Sequence, residues 1–396
     1  MRYPLVGNRF LRAYLYIFDF FCLMFKCLFP QRVRTLQRFD IKKVRRILLR
    51  NPAAFGDVLY TLRLATALKK RYPYIEIGLV VGSWVRPLVE ISRDITYVHY
   101  EDHWAVSRSK QHILQRFFRW WNDRRRVLGE IREKHYDIAI DLYYYFPSSA
   151  FLFYQAGIPC RVGYDSNGGG ALLSKRVSWS IVEQHNVEYQ AALLNEIGFS
   201  LSREDLIESE VGFSPCKKET LLFTNDQIIP GRYIVVHVGT GAESREWCID
   251  RWVSLINSLG KCGLRIFFTG QGKREKFFIE YILQHTNVNA ISFCDQISLS
   301  ELFVLIKNTR LFIGLESFAG HIAAMYKIPQ VSIMHGASNQ SHWQPYHNEN
   351  CIVIRKKLDC SPCYFPSQCK YNNLCMDILP EDVIGAVRKK LNLMET

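Results

Sequence analysis

Short apolar runs alternate with amphipathic stretches along most of the chain. Residues 44–50 read as a buried strand. After "RNPAAFGDVLYT" (50–61), Leu59, Leu62, Ala65 and Leu68 recur at helical spacing, which predicts a helix over 58–71. "YIEIGLVVG" (74–82) predicts a strand, "SWVRPLVEIS" a short helix and "ITYVHY" another strand. "YDIAIDLYYY" (136–145) adds a strand, and "RVGYDSNGGG" (161–170) a strand end running into a glycine-rich loop. Periodicity is lost over 214–231, which ends in Pro-Gly. A second alternation follows. Strands are predicted at 233–239, 264–270, 290–294, 311–316 and 329–335, and helices at 250–260, 273–285, 298–308 and 318–327, with Ser298 as an N-cap. Short β-α-β connections of this kind predict parallel sheets covered by helices.

The 396 residues suit two domains, and 48% hydrophobic residues are enough for two cores. The expected organisation is an N-terminal extension (1–43), a first α/β domain (44–213), a linker (214–231) and a second α/β domain (232–396). Ligands in such sheets bind beyond the carboxyl ends of the strands.

Charge adds a partner. The net charge is +14. Residues 1–50 hold twelve Lys/Arg against Asp19 and Asp40, a net of +10. Basic ends suit anionic surfaces, either nucleic acid or acidic lipid. The adjacent "RAYLYIFDFFCLMFKCLFP" (12–30) is apolar and aromatic, with Arg12, Asp19 and Lys26 on one helical stripe. Two readings stay open: a helix lying in a bilayer interface with Arg/Lys at the headgroups, or a helix packed on its own protein. No small-residue cleavage site follows, which argues against a signal peptide. The basic, aromatic segment 104–134 has nine Lys/Arg and three acids from 108 onward. It is either a solvated helix with an aromatic inner face or a docking surface for an anionic partner.

Of twelve cysteines, Cys160, Cys216, Cys248, Cys262, Cys294 and Cys351 are scattered beside apolar residues and read as buried thiols, implying a reducing compartment. Four others cluster as Cys360-x2-Cys363-x5-Cys369-x5-Cys375. Four thiolates so close in sequence could close a tetrahedral structural zinc or iron site, with two disulfides or buried thiols as alternatives. A site closed by four thiolates has no open position, so no catalytic role follows.

Three strand-to-helix turns in the second half carry candidate ligand contacts. "HVGTGAESREW" offers Thr240, Gly241 and Arg245; "TGQGKRE" offers Gly270 and Lys273; "GLESFAGH" offers Glu316, Ser317 and His321. Glycines admit close backbone approach to phosphate, and the hydroxyl and cations add donors. None is a Walker motif or a full G-x-G-x-x-G. Together, three such turns on one sheet edge suggest a nucleotide diphosphate site. His237 and Glu243 are weaker candidates, Glu243 as an acid that could orient Arg245.

In order and spacing, "RRILLRNPAAFGDVLYTLRLATALKKRYP", "EQHNVEYQAALLNEIG", "VVHVGTGAESREWCIDRW", "FIGLESFAGHIAAMYKIPQVSIMHG", "WQP" and the cysteine segment resemble the heptosyltransferases of glycosyltransferase family 9. The resemblance covers about residues 44–390. It implies an α/β GT-B architecture, two Rossmann-like domains facing a central cleft. It also implies inverting transfer of a sugar, usually heptose, from a nucleotide diphosphate to a growing glycan such as lipopolysaccharide core, without a catalytic metal. Position by position, Asp57 matches the general base, Thr240 and Arg245 the phosphate-binding Thr and Lys, and Glu316, Ser317 and His321 the "D-[ST]-G-x-x-H" donor segment. Glu316 and Phe318 depart from the usual Asp and Gly, which leaves the sugar and the nucleotide open, with ADP-heptose the donor that the resemblance implies.

The expected setting is cytoplasmic, at the inner face of the cytoplasmic membrane, with an anionic glycolipid or glycan as acceptor. Alternatives are a protein O-heptosyltransferase and a basic nucleic-acid-binding protein, although no nucleic-acid motif appears. A nicotinamide oxidoreductase is disfavoured by the missing fingerprint. At its helix start, Asp57 is expected to be held ionised.

Overall fold

The computed structural model describes residues 9–28, 40–109, 111–213, 228–364 and 369–392. The chain forms two compact units, Met1–Ser214 and Pro215–Thr396. Most of the expected linker, 214–227, lies outside the described residues, as does Cys216.

The first unit contains, in order, α1 (Arg9–Leu28), β1 (Arg46–Arg50), α2 (Phe55–Arg71), β2 (Glu76–Val81), α3 (Arg86–Val89), β3 (Tyr97–Tyr100), α4 (Ile113–Glu133), β4 (Ile138–Asp141), α5 (Ala150–Gln155), β5 (Cys160–Tyr164), β6 (Lys175–Val177), α6 (Asn186–Asn195) and α7 (Arg203–Ile207). Its sheet has the order β3-β2-β1-β4-β5-β6 with every pair parallel. Leu48 pairs with Gly78 on one side and Ala139 on the other. Gly78 must be small, because a Cβ there would lie 2.0 Å from the Tyr136 hydroxyl. Residues Val58 to Leu68 of α2 are buried without a break. Arg63 within that run is held by the carbonyls of Leu206 and Ile207, which closes the C-terminal end of α7.

The second unit contains β7 (Tyr233–His237), α8 (Ile249–Leu259), β8 (Arg265–Thr269), α9 (Gly272–Gln284), β9 (Ala290–Ser292), α10 (Leu299–Lys307), β10 (Leu311–Leu315), α11 (Phe318–Met325), β11 (Gln330–Ile333), α12 (Gln340–Trp343), β12 (Cys351–Ile354) and α13 (Pro380–Leu391). Its parallel order, β12-β11-β10-β7-β8-β9, repeats the first sheet's connectivity. Trp247 and Trp252 meet edge to face at 5.0 Å in its core, and the Trp247 indole donates to the Ile378 carbonyl. Ser298 caps α10 as expected, in a capping box with Glu301.

In both sheets the strand order reverses once, between β1 and β4 and between β7 and β10. The first reversal is clamped by a buried ion pair, Arg50 Nη1 to Asp141 Oδ1 at 3.3 Å. The same guanidinium donates to the Pro147 carbonyl, and Asp141 accepts from the Ser149 amide at 2.7 Å.

Helix α1 packs on its own unit, one of the two readings the sequence left open. The stripe of Arg12, Asp19 and Lys26 does not face outward. Leu15, Asp19 and Cys22 are buried, and Asp19 accepts from the Gly169 amide at 2.7 Å. The glycine-rich loop is the seat of this helix. A Cβ at Gly168 would lie 2.9 Å from Leu15, and Gly168 and Gly169 both adopt positive φ. Among the described residues, no helix is long and apolar enough to cross a membrane. The scattered cysteines are also less uniform than expected: Cys160 and Cys294 are buried, Cys262 and Cys351 half-buried and Cys248 exposed. Short apolar neighbours in sequence do not report which face of an element a thiol occupies.

Removing Asp141 would strand a buried guanidinium. Asp141→Ala is expected to cost about 3–5 kcal/mol in urea unfolding of the full chain, and Asp141→Asn clearly less because it retains an oxygen acceptor.

Candidate active site

The candidate residues gather at the two reversals. In the first unit, β1 ends at Arg50 and the chain turns through "NPAAFG" into α2, so Asp57 stands in the first turn of that helix. Its Oδ2 accepts from the Ala54 amide at 3.3 Å, and its Oδ1 accepts from the Asn186 side chain at 3.2 Å. Asp57 therefore does what a first-turn acid does, and one oxygen also meets α6. The neighbouring polar groups are chained: Asn51 donates to Thr61 at 2.9 Å, and Thr61 donates to Gln190 at 3.0 Å. These bonds hold α6 against α2 and fix where Asn186 points.

Burial pushes the Asp57 carboxyl up to about 6, against the pull of the Ala54 amide, Asn186 and Arg108. The helix N-terminus was expected to hold this group ionised, and with a value of about 6 it is still ionised at neutral pH. Desolvation outweighs the helix terminus, because the turn around Asp57 excludes much of the water that would stabilise the charge. The carboxylate is half-buried rather than sealed. Burial and the nearby Asp57 charge raise the Tyr143 and Tyr144 phenols, so this tyrosine run after β4 borders the acid.

In the second unit, Glu316 follows β10 and is nearly enclosed. Its Oε1 accepts from Arg245 Nη1 at 3.0 Å and from the Ser338 hydroxyl at 3.2 Å. Thr240 Oγ1 donates to the Glu316 carbonyl at 3.1 Å. The structure thus brings Thr240, Arg245 and Glu316 together. Among the described residues, Glu316 Oε2 and Arg245 Nε are buried with no hydrogen-bond partner, an arrangement that a polar ligand would relieve. Burial raises the Glu316 carboxyl, with Arg245, Ser338 and Arg355 opposing. Ser317 caps α11, accepting from the Gly320 amide. His321 is buried in that helix, and burial lowers its imidazole to about 4, so it is neutral at physiological pH.

Other candidates fall elsewhere. Glu243 pairs with Arg274 at 3.2 Å and so does not orient Arg245. His237 Nδ1 lies 3.0 Å from the Thr269 hydroxyl. An added Cβ at Gly241 meets nothing within 4 Å, so packing does not require a glycine there. The turn with Gly270 and Lys273 presents acids. The Gln271 amide donates to Glu275 at 2.9 Å, and the Gly272 amide donates to Asp295 at 2.9 and 3.1 Å. A Cβ at Gly270 would lie 2.8 Å from the Glu275 carboxylate, which therefore fills the space a phosphate would need. Lys273 is exposed.

Sequence reasoning missed Asn186, His335, Ser338 and Arg355. Arg355 donates to the Gly336 and Ser338 carbonyls and so holds the loop after β11. Burial, with Arg245 and Arg355 nearby, lowers His335 to about 4, and its Nδ1 accepts from the Ala337 amide. Asn186 sat beside the His-containing motif, but only the α2–α6 packing shows that it reaches Asp57.

The cysteine segment lies beneath this loop. A Cβ at Gly336 would meet Cys375 Cβ at 2.7 Å and Ser361 Oγ at 2.7 Å. Burial raises the Cys375 thiol, with smaller contributions from Cys369 and Cys363. Cys360 is half-buried, and Cys369 accepts from the Asn373 amide. Among the described residues, no three His, Cys, Asp or Glu side chains are already gathered as metal ligands. The donor set suits a thiolate metal in kind, but its geometry in this conformation does not.

A profile of glycosyltransferase family 9 (heptosyltransferase) matches residues 124–374. The chain belongs to this family. As a family 9 member it is a glycosyltransferase of GT-B fold. It is 21% identical over 344 residues to lipopolysaccharide heptosyltransferase 3 of Escherichia coli, covering 85% of this chain and 96% of that protein. The E. coli ADP-heptose lps heptosyltransferase II structure superimposes with a TM-score of 0.66 at 21% identity, over 88% of this chain and 98% of that one. The iron-containing dodecameric glycosyltransferase TibC from enterotoxigenic E. coli gives a TM-score of 0.52 at 12% identity, over 89% of this chain and 78% of TibC.

Burial that raises the Asp57 carboxyl to about 6 leads to a pH test of its role. With Asp57 as the base, kcat/KM is expected to fall about tenfold per pH unit below roughly 6. Asn186 donates to the ionised form and so lowers the Asp57 pKa. Asn186→Ala should therefore move that limb to higher pH, as read from a pH–rate profile.

Proposed function

We propose that this glycosyltransferase moves heptose from ADP-heptose to a hydroxyl of an anionic cell-envelope glycan, such as lipopolysaccharide core, with inversion at the anomeric carbon. The acceptor oxygen bonds to the anomeric carbon as the bond to the diphosphate breaks, ADP leaves, and the acceptor proton passes to Asp57. A base near 6 is ionised at neutral pH yet still basic enough to take that proton. Arg108, which acts electrostatically on Asp57, suits an anionic acceptor.

The observation that carries the reading is the polar cluster around Glu316, where Arg245, Ser338 and Thr240 converge. Arg245 offers charge to the diphosphate, and Glu316 Oε2 offers an acceptor to a sugar hydroxyl. Thr240 and Ser317 add hydroxyls beside the start of α11. The names of the relatives, heptosyltransferases and an ADP-heptose enzyme, support the choice of donor. A lipid-linked acceptor places the reaction at the inner face of the cytoplasmic membrane, with the enzyme cytoplasmic and peripheral.

A thermal-shift panel tests the donor. ADP-heptose should stabilise the protein, while UDP-sugars, GDP-sugars and NAD should not; equal shifts by all would overturn the choice. Asp57→Asn should lower turnover by about 10²–10⁴ and leave the ADP-heptose shift in place. A fully active variant would remove Asp57 from the mechanism.

The same proposal gives Cys360, Cys363, Cys369 and Cys375 a structural zinc or iron, supported by the four-thiol segment and by the iron named for TibC. Its closure requires the loop to draw the thiols together, and no step of the transfer passes through it. Elemental analysis of the full chain should find about one metal per chain, lost in Cys363→Ser together with a fall in Tm. Metal-free wild-type protein would leave thiols or disulfides.

A further inference from the structure

Helix α1 is amphipathic in the inverted sense. Its acid faces inward with Leu15 and Cys22, where Asp19 bonds the Gly169 amide, while a second set of apolar residues faces out. Ile17, Phe20, Phe21, Leu23, Met24 and Leu28 are 48–68% exposed. With side chains of roughly 200 Å² each, this face shows several hundred Å² of apolar surface, more than soluble monomers usually leave open.

A second apolar stripe continues it. Leu114, Phe118 and Trp121 on α4 are 53–63% exposed. The two helices are joined by rings: Tyr14 meets Phe146 edge on at 6.1 Å, Phe146 meets Trp104 at 6.1 Å, and Trp104 meets Phe117 at 6.3 Å. Over 113–126 of α4 the acid is Asp123, on the helix side away from Leu114, Phe118 and Trp121, against Arg116, Arg119, Arg124, Arg125 and Arg126, and Arg119 and Arg125 are exposed.

We propose that α1 and the first half of α4 form one membrane-docking face that lies in the interface of an anionic bilayer. Aromatic and aliphatic side chains enter the acyl boundary, and the arginines stay at the acidic headgroups. Tyrosine and tryptophan suit that boundary because each has an apolar body and a polar tip. Charge selects lipid over a second copy of this chain. A symmetric pair would set one basic, acid-free face against another, whereas acidic headgroups complement it. The proposal extends the membrane-side reading above and does not depend on the identity of the donor sugar.

Co-sedimentation of the full chain with vesicles tests this. Binding should be strong to phosphatidylcholine vesicles containing phosphatidylglycerol, weak to phosphatidylcholine alone, and reduced by salt. Phe21→Ser and Trp121→Ser should each weaken binding at least about tenfold, and Arg125→Glu should remove the preference for acidic lipid. All three residues are exposed, so Tm and the ADP-heptose shift should be unchanged. Wild-type protein that ignores anionic vesicles overturns the proposal. So does a dimer in sedimentation that Phe21→Ser dissolves, which would assign the face to a second copy. A missing ADP-heptose shift with intact vesicle binding would sink the donor reading and leave this one standing.

Discussion

The parallel sheet with one reversal of strand order is the constraint on which the rest depends. Every strand points the same way, so all the carboxyl ends lie on one edge of a sheet. Helices leave to opposite faces at the reversal, and the loops there are not covered by a crossover. Both units repeat this arrangement, and each sets an arginine against a carboxylate at its reversal. In the first unit Arg50 and Asp141 stand on the last residues of β1 and β4 and close the gap internally. In the second unit Arg245 and Glu316 lie beyond the strand ends, and Glu316 Oε2 has no hydrogen-bond partner among the described residues, whereas both Asp141 oxygens are bonded. The same device is a closed clamp in one unit and keeps a spare carboxylate oxygen in the other. The difference is how far past the strand the charged residues sit.

Removal of water then tunes the groups so placed. Asp57 and Glu316 are both raised by burial, although each has donors nearby, while His321 and His335 are pushed down to about 4 and held neutral. A carboxylate near 6 is a better proton acceptor than one at its ordinary value, and a neutral His335 near Arg245 avoids crowding a cationic site. Arg355 contributes through the backbone it holds, since it fixes the loop that carries Ser338.

Much of the fold was legible because strand and helix periods are local. The alternation placed most strands and helices within a few residues, and Ser298 was readable as a cap because capping involves neighbours three apart. The edge strand β12, the short β6 and helix α13 escaped, since short or half-buried elements carry little pattern. Among candidate site residues, Asp57, Thr240, Arg245 and Glu316 could be named from motif order. The Gly270–Lys273 turn looked like a phosphate cradle only while Glu275 and Asp295 were unseen.

By itself the sequence determined the two α/β halves, the acid at the start of α2 and the basic, apolar N-terminal segment, because each is written in residue type and spacing along the chain. Tertiary structure alone decided that Asn186 reaches Asp57 and that Glu316 takes Arg245. It also decided that α1 turns its acid inward and leaves Phe20 and Phe21 outward. Helical spacing says which residues share a face, but only the partner packed against that face, here a glycine loop with a free amide, settles which side meets the protein.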